Sequence, residues 1–325
     1  GENNLRDALA ELYTRRRGRG FDRDNILCFP GTQTALYAVM QGVAEQGDEV
    51  LVGDPLYATY EGVIRSTGAE MVSVPLRPEH GFRMQAKDVA ARITDRTRAI
   101  LLNTPHNPTG AILRPEELEA IAALALEHDL WLISDEVYED LVFEGSTFLS
   151  PLALPEIADR TIAVASISKS HAAPGMRSGW AVEPKSFCDA LLPVSETMLF
   201  GNQPFIADMT AAAVRSGSPV AEGMRNRFAR RATYLAERVE AETPLRVHRP
   251  EAGMFALIDV SPLGMDSESF AWALLDQQGV AVMPGSSFGA YMGDWVRVAL
   301  TVEDAALTRA VDRICAFARL RTAAE

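Results

Sequence analysis

The sequence predicts an α/β protein: a large domain built on a mostly parallel sheet covered by helices over residues 1–235, and a smaller α+β C-terminal domain over residues 236–325. Three observations predict it. Over the first two-thirds of the chain, apolar runs of strand length alternate with segments of helical spacing, the pattern of a parallel sheet covered on both faces. The run from Thr161 to Ile167 is apolar and β-branched, as a strand buried on both sides must be. A long helical pattern from Pro219 to Glu242 is then followed by strands and helices that read as a second, smaller domain.

The elements follow in order. Leu36, Val39, Met40 and Val43 give helical spacing within Gly31 to Glu45, and Gly47-Asp48 ends it. Glu49 to Val52 reads as a strand, Tyr57 to Ser66 as a helix, and Ala69 to Leu76 as a strand. Arg98 to Leu102 is a short apolar strand. Pro115-Glu116-Glu117 opens a helix, because proline suits the first helical position and carboxylates suit the positive end of the dipole. Leu118, Ile121, Leu124 and Ala125 form its apolar face. Leu130 to Ile133 is the next strand. In the Pro219–Glu242 helix the apolar positions are Val220, Met224, Phe228, Leu235 and Val239. Beyond it, strands are predicted at Leu245 to His248, Met254 to Val260, Val280 to Met283 and Trp295 to Leu300. Helices are predicted at Ser267 to Gln277 and Val302 to Arg319.

Composition sets limits. The 325 residues are 47% hydrophobic and 23% charged, with a formal net charge of −13, which argues against generic binding to nucleic acid or an acidic membrane. The basic run Arg15-Arg16-Arg17-Gly18-Arg19 reads as a solvated helix end. The cysteines Cys28, Cys188 and Cys315 are odd in number and widely spaced, so neither a disulfide framework nor a zinc motif is indicated, and a reducing, cytoplasmic location is expected. No metal site is expected. No run of 18 apolar residues suggests a membrane span, and Gly1 to Leu5 lacks a signal pattern.

In such sheets ligands bind beyond the carboxyl ends of the strands, and candidate chemistry stands there. Lys169, in Ser166-Ile167-Ser168-Lys169, is at the mouth of a buried strand, where a lowered pKa turns an amine into a nucleophile toward a carbonyl. Arg177 follows in Gly175-Met176-Arg177-Ser178-Gly179-Trp180, and Asn107 and Asp135 stand at two other strand ends. Together they suggest a pyridoxal phosphate (PLP) site. A buried carboxylate needs a positive partner, and a pyridinium nitrogen supplies one for Asp135. Asn107 and Tyr138 suit the ring oxygen. Ser166, Ser168 and Arg177 suit a phosphate, as does the Gly31-Thr32-Gln33-Thr34 helix start. Tyr57 is suited to stack on the ring, and Arg297, facing away from Val296 and Val298, to grip a carboxylate. Each has a plainer reading alone: a turn for Asn107, a helix cap for Asp135, a surface amine for Lys169, a loop aromatic for Tyr57, a solvent-facing arginine for Arg297.

In combination, Asn107-Pro-Thr-Gly110, Ser134-Asp-Glu-Val-Tyr138, Ser166-Ile-Ser-Lys169 and Gly175-Met-Arg177-Ser-Gly-Trp180 resemble, in order and spacing, the class I/II aminotransferases among the fold-type I PLP enzymes. The resemblance runs from Gly31 to about Thr301 and includes Gly253-Met254-Phe255 and Pro284 to Gly289. It implies a transaminase that moves an amino group between an L-amino acid and a 2-oxo acid. Pyridoxal 5′-phosphate is its cofactor and Lys169 the Schiff-base lysine and proton shuttle. It implies that Asp135 pairs with the ring nitrogen, Asn107 and Tyr138 contact the ring oxygen, and Tyr57 stacks on the ring. Thr32, Gln33, Ser166 and Arg177 hold the phosphate, and Arg297 binds the substrate carboxylate. Relatives are homodimers with sites at the subunit interface. They also carry an N-terminal segment over the substrate, and Gly1 to Arg6 resembles the stretch after it, so a lid outside these residues is expected. Ser170-His171 is mildly reminiscent of enzymes acting on arginine-like substrates.

The alternative on the same scaffold is a PLP-dependent lyase, synthase or oxidase acting on an amino acid. A PLP-binding sensor domain is a third reading, with no helix-turn-helix visible to support it. A nicotinamide-binding enzyme is not supported, since no Gly-x-Gly-x-x-Gly follows a strand.

Overall fold

The computed structural model of the chain describes residues 1–199 and 201–322. Seven strands form the larger sheet: β1 (Ile26–Phe29), β2 (Glu49–Asp54), β3 (Glu70–Pro75), β4 (Thr97–Asn103), β5 (Trp131–Asp135), β6 (Thr161–Ser166) and β7 (Gly179–Val182). Their spatial order is β1-β7-β6-β5-β4-β2-β3. β2 to β6 run parallel, and β7 is antiparallel to both its neighbours.

Both faces of this sheet are covered, which is why β2 and β6 are buried along their whole length. The strands alternate their side chains between two apolar layers. Val50, Val52, Ile133 and Val164 meet Leu36, Val39 and Met40 of the helix Thr32–Val43. Leu51, Ile100 and Leu132 meet Leu118, Ile121 and Ala125 of the helix Pro115–Glu127. A third cluster packs the helix Asn3–Arg17 and the helix Pro204–Ser216 against Ala163, Trp180 and Val182.

A second sheet of β8 (Arg246–His248), β9 (Phe255–Asp259), β10 (Met283–Pro284) and β11 (Trp295–Ala299) is antiparallel, in the order β10-β11-β9-β8. The helices Pro219–Glu242 and Asp304–Thr322 pack on it through Met224, Phe228, Leu235, Val311 and Ile314. The expected boundary at 235/236 falls inside the first of these helices, and residues 323–325 of the expected second domain lie outside the described residues.

The topology positions the site. β2, β4, β5 and β6 end on one edge at Asp54, Asn103, Asp135 and Ser166. Because β7 returns antiparallel to β6, no crossover helix is needed between them, and the short connection 167–178 stays at that edge. It carries Lys169 and Arg177. β7 then pairs with β1, whose end leads through Gly31 into the helix Thr32–Val43.

Several expectations need correction. Helix begins at Tyr60 rather than Tyr57, so Tyr57 sits on the preceding loop. Of the stretch expected as a strand at Val280 to Met283 only Met283 pairs, in the two-residue strand Met283–Pro284, which ends where the chain turns at Gly285. Val220 is exposed, and Ala221 takes the buried place beside it. The basic run is not a solvated helix end throughout. Arg17 is buried, donating to Glu136 Oε2 at 2.9 Å and to Glu139 Oε1 at 2.6 Å, in a position where a guanidinium needs such partners. β1 and β7 were not anticipated. They are four residues each, too short to show a period.

Gly179 is where this arrangement is tightest. A Cβ there would lie 2.5 Å from the Gly31 carbonyl carbon and 2.7 Å from the Thr32 nitrogen. Gly179→Ala is therefore expected to destabilise the protein by about 3 kcal/mol, read as a lowered denaturation midpoint with unchanged slope.

Candidate active site

One cleft of about 310 Å³ at the strand ends is lined by every residue singled out from the sequence: Thr32, Gln33, Tyr57, Asn107, Asp135, Tyr138, Ser166, Lys169, Arg177 and Arg297. They come from five elements, among them the start of the helix Thr32–Val43, the ends of β5 and β6 and the middle of β11, and from the loops between them. This convergence is a property of the fold and not of any single motif.

Asp135 is the buried end of β5. Its Oδ2 accepts the hydroxyl of Tyr60 at 2.7 Å and its Oδ1 the N–H of Val137 at 3.3 Å. Burial nevertheless dominates, and pushes its carboxyl up to about 6 against the pull of Tyr60, Val137 and the Lys169 charge. Tyr60 is forced well above the ordinary phenol range by burial and by Asp135, so it stays a donor. Tyr138 is raised as well, by burial and then by Asp135.

Lys169 lies in the short helical turn Ile167–Ser170, which Ser166 caps by accepting the N–H of Ser168 at 3.3 Å. Its ammonium lies 6.0 Å from the centre of the Tyr138 ring. Desolvation lowers its pKa, opposed by Asp135 and reinforced by Arg297 and Arg177. The chain has three lysines, and the other two, Lys87 and Lys185, are exposed and outside the cleft.

Thr32, Ser166, Ser168 and Arg177 line the cleft with the N-terminus of the helix Thr32–Val43. Arg177 is braced in a left-handed backbone conformation, donating to the carbonyls of Pro174 at 2.8 Å and Pro30 at 3.2 Å. Its guanidinium packs over Gly31, where a Cβ would lie 2.3 Å from Nη2. Thr32 Oγ1 is buried with no partner. Hydroxyls, a guanidinium and helix N–H groups together suit an anion. Gln33 turns aside to accept the Thr59 hydroxyl at 2.8 Å.

Arg297, also lining the cleft, is held between the rings of Phe288 and Phe255, its guanidinium carbon 4.6 and 4.7 Å from their centres. Nη1 donates to Asn107 Oδ1 at 3.0 Å, and Nε is buried with no partner. Arg297 is thus not the solvent-facing arginine of the plainer reading: a fixed guanidinium with donors to spare can receive a carboxylate. Reading the sequence missed Tyr60, Asn103, Phe255 and Phe288. Each had a signal that assigned it no role: Tyr60 is a second aromatic three residues beyond Tyr57, Asn103 stands at a strand end, and Phe255 and Phe288 lie in the segments Gly253 to Phe255 and Pro284 to Gly289 that carry the resemblance. Among the described residues no group of three His, Cys, Asp or Glu is arranged to hold a metal.

The Asp135 environment makes a pH prediction for the apoprotein. Above an ordinary value of 3.8 and below about 6 this carboxyl keeps its proton only in the folded chain, so its contribution to stability falls as pH rises through that window. A carboxyl-carbon NMR titration should show one aspartate titrating near 6. Tyr60→Phe, which removes a donor to the ionised form, should move it higher. An unmoved titration would contradict the assignment.

Comparison with known proteins agrees with this geometry. The model of the family "Aminotransferase class I and II" matches residues 1–314. Arginine–pyruvate transaminase AruH of Pseudomonas aeruginosa is 44% identical over 314 residues, 97% of this chain and 80% of the relative. An aspartate/prephenate aminotransferase of Thermus thermophilus is 35% identical, over 97% of this chain and 80% of its own length. Among solved structures, an aromatic aminotransferase from Pyrococcus horikoshii superposes with a TM-score of 0.94 at 29% identity, covering 99% of this chain and 87% of that one. Aspartate aminotransferase from Thermus thermophilus with maleate gives 0.89 at 35%, covering 98% and 82%. The chain belongs to the class I and II aminotransferase family and is an enzyme that moves an amino group between an amino acid and a 2-oxo acid.

Proposed function

We propose that this cleft binds pyridoxal 5′-phosphate and uses it to transfer the amino group of an L-amino acid through Lys169. The observation that carries the reading is one lysine of lowered pKa placed in the same cleft as a buried carboxylate and an anion cup. The donor set fits the group. Thr32, Ser166, Ser168 and Arg177, with Gln33 beside them, suit its phosphate, and the unpartnered Thr32 Oγ1 is a donor waiting for an acceptor. Asp135 suits its ring nitrogen, Asn107 and Tyr138 its ring oxygen, and Tyr57 its face.

When bound, PLP supplies an aldehyde for an amine to condense with and a protonated ring that draws electron density from the substrate α-carbon. The chain's residues do the rest. Asp135 holds the proton on the ring nitrogen, and Tyr60 keeps that carboxylate in place. Lys169, once free, is the base that takes the α-proton, and its lowered pKa raises the neutral fraction available for that task. Arg297 orients the substrate by its carboxylate. The name of the 44% identical relative makes L-arginine with pyruvate the first pair to try.

The same reading takes the protein to be a cytoplasmic homodimer with a second domain from residue 236. Three free, buried cysteines support the reducing compartment. Tyr57 at the cleft, Met176 beside Arg177, and Phe205 are exposed apolar side chains that support a partner subunit. No helix among the described residues is long and apolar enough to cross a membrane.

The test is an absorbance spectrum of the PLP-loaded protein, before and after a panel of L-amino acids without oxo acid. Loss of the visible band with stoichiometric pyridoxamine phosphate is expected for some donors. A band that persists with all of them would overturn the reading. Lys169→Ala should remain folded and lose at least about a thousandfold in turnover.

A further inference from the structure

β2 ends at Asp54, a buried carboxylate with no cation beside it among the described residues. Among the described residues it accepts two backbone N–H groups, both from the segment that leads into β11: Ala290 to Oδ2 at 3.2 Å and Tyr291 to Oδ1 at 3.5 Å. Two residues on, the N–H of Leu56 donates to the carbonyl of Phe288 at 2.7 Å. The approach is close enough to require glycine between them. A Cβ at Gly289 would lie 1.9 Å from Asp54 Oδ1, and Gly289 has φ +141°.

Phe288, anchored by these bonds, is the ring under Arg297. Arg297 is tied in turn to Asn107, and the neighbouring His106 reaches back to the carbonyl of Pro55 at 3.1 Å through Nε2 while Nδ1 meets the Thr109 hydroxyl at 2.8 Å. The contacts close a ring: Asp54, the 288–291 segment, Arg297, Asn107, His106, Pro55. A carboxylate without a cation is costly to bury unless its acceptors are used. Asp54 therefore favours the arrangement in which this segment is docked.

We propose that Asp54 is a positioning residue for the substrate carboxylate. It never touches substrate, but by docking the 288–291 segment it sets Phe288, and through it Arg297, in the receiving position. This rests on the amino-transfer reading for its consequence, and on contacts independent of it for its existence. Because the carboxylate is common to all amino acids, the effect is on donor binding in general and not on the choice of side chain.

Two readouts test it. The first needs no substrate: denaturant unfolding of Asp54→Ala, Gly289→Ala and the double variant. If the docking contact is as described, Gly289→Ala is less destabilising in the Asp54→Ala background, since the clash partner is gone. Additive effects would overturn the contact. The second is the donor concentration at half-loss of the visible band in the PLP-loaded protein, with L-arginine and L-aspartate as probes. Asp54→Ala should raise it about tenfold for whichever probes react, with the limiting rate and PLP affinity nearly unchanged, and Asp54→Asn, which keeps one acceptor, should recover part of the loss. An unchanged half-saturation, or an equal loss of PLP affinity, would overturn the positioning role. A wild-type protein that converts no donor would instead refute the amino-transfer reading, leaving the unfolding cycle to judge the contact.

Discussion

At the carboxyl end of β5 a carboxylate is taken out of water and given one hydroxyl and one backbone N–H. Neither neutralises it, and burial pushes the Asp135 carboxyl up to about 6. A buried acid avoids the cost of an unpaired charge by keeping its proton or by meeting a cation that lets it ionise. The arrangement around it follows from that constraint. Tyr60 fixes its orientation. The Lys169 amine, depressed by desolvation, shares its field. Arg177 and Arg297 line the same cleft, so the site is cationic except at Asp135 until anionic groups enter.

The reversal of β7 brings Lys169 and Arg177 to one edge. A parallel neighbour would have required a long crossover after β6, carrying Arg177 away. The antiparallel return keeps residues 167–178 at the strand mouths. Its pairing with β1 presses Gly179 against Gly31, beside the helix start that completes the anion cup. Arg297 comes from the other sheet, on β11, and is tied to the first by Asn107 and by the ring of contacts through Asp54.

Much of this was legible in the sequence, for physical reasons. Long elements with a strong period were readable: the helix Pro219–Glu242 is found with the bounds that its pattern implied, and β6 ends one residue before the expected Ile167. The polar residues at strand mouths were readable because a parallel sheet sends its chemistry there. Four-residue strands such as β1 and β7 show no period, and whether a neighbour runs parallel depends on pairing that one strand's residues do not encode. Arg17 looked solvated because its partners, Glu136 and Glu139, are more than a hundred residues away in sequence. Tyr60, Phe255 and Phe288 acquire their roles only from the three-dimensional approach of separate elements.

The central claim is that one amine, Lys169, carries the chemistry of this cleft. The most direct measurement is borohydride reduction of the PLP-loaded protein, followed by peptide mass mapping of the lysine to which the cofactor becomes fixed. With three lysines in the chain the answer is unambiguous. Label confined to the peptide containing Lys169 is the predicted result. Label on Lys87 or Lys185, or none on a folded, loaded protein, would contradict the account.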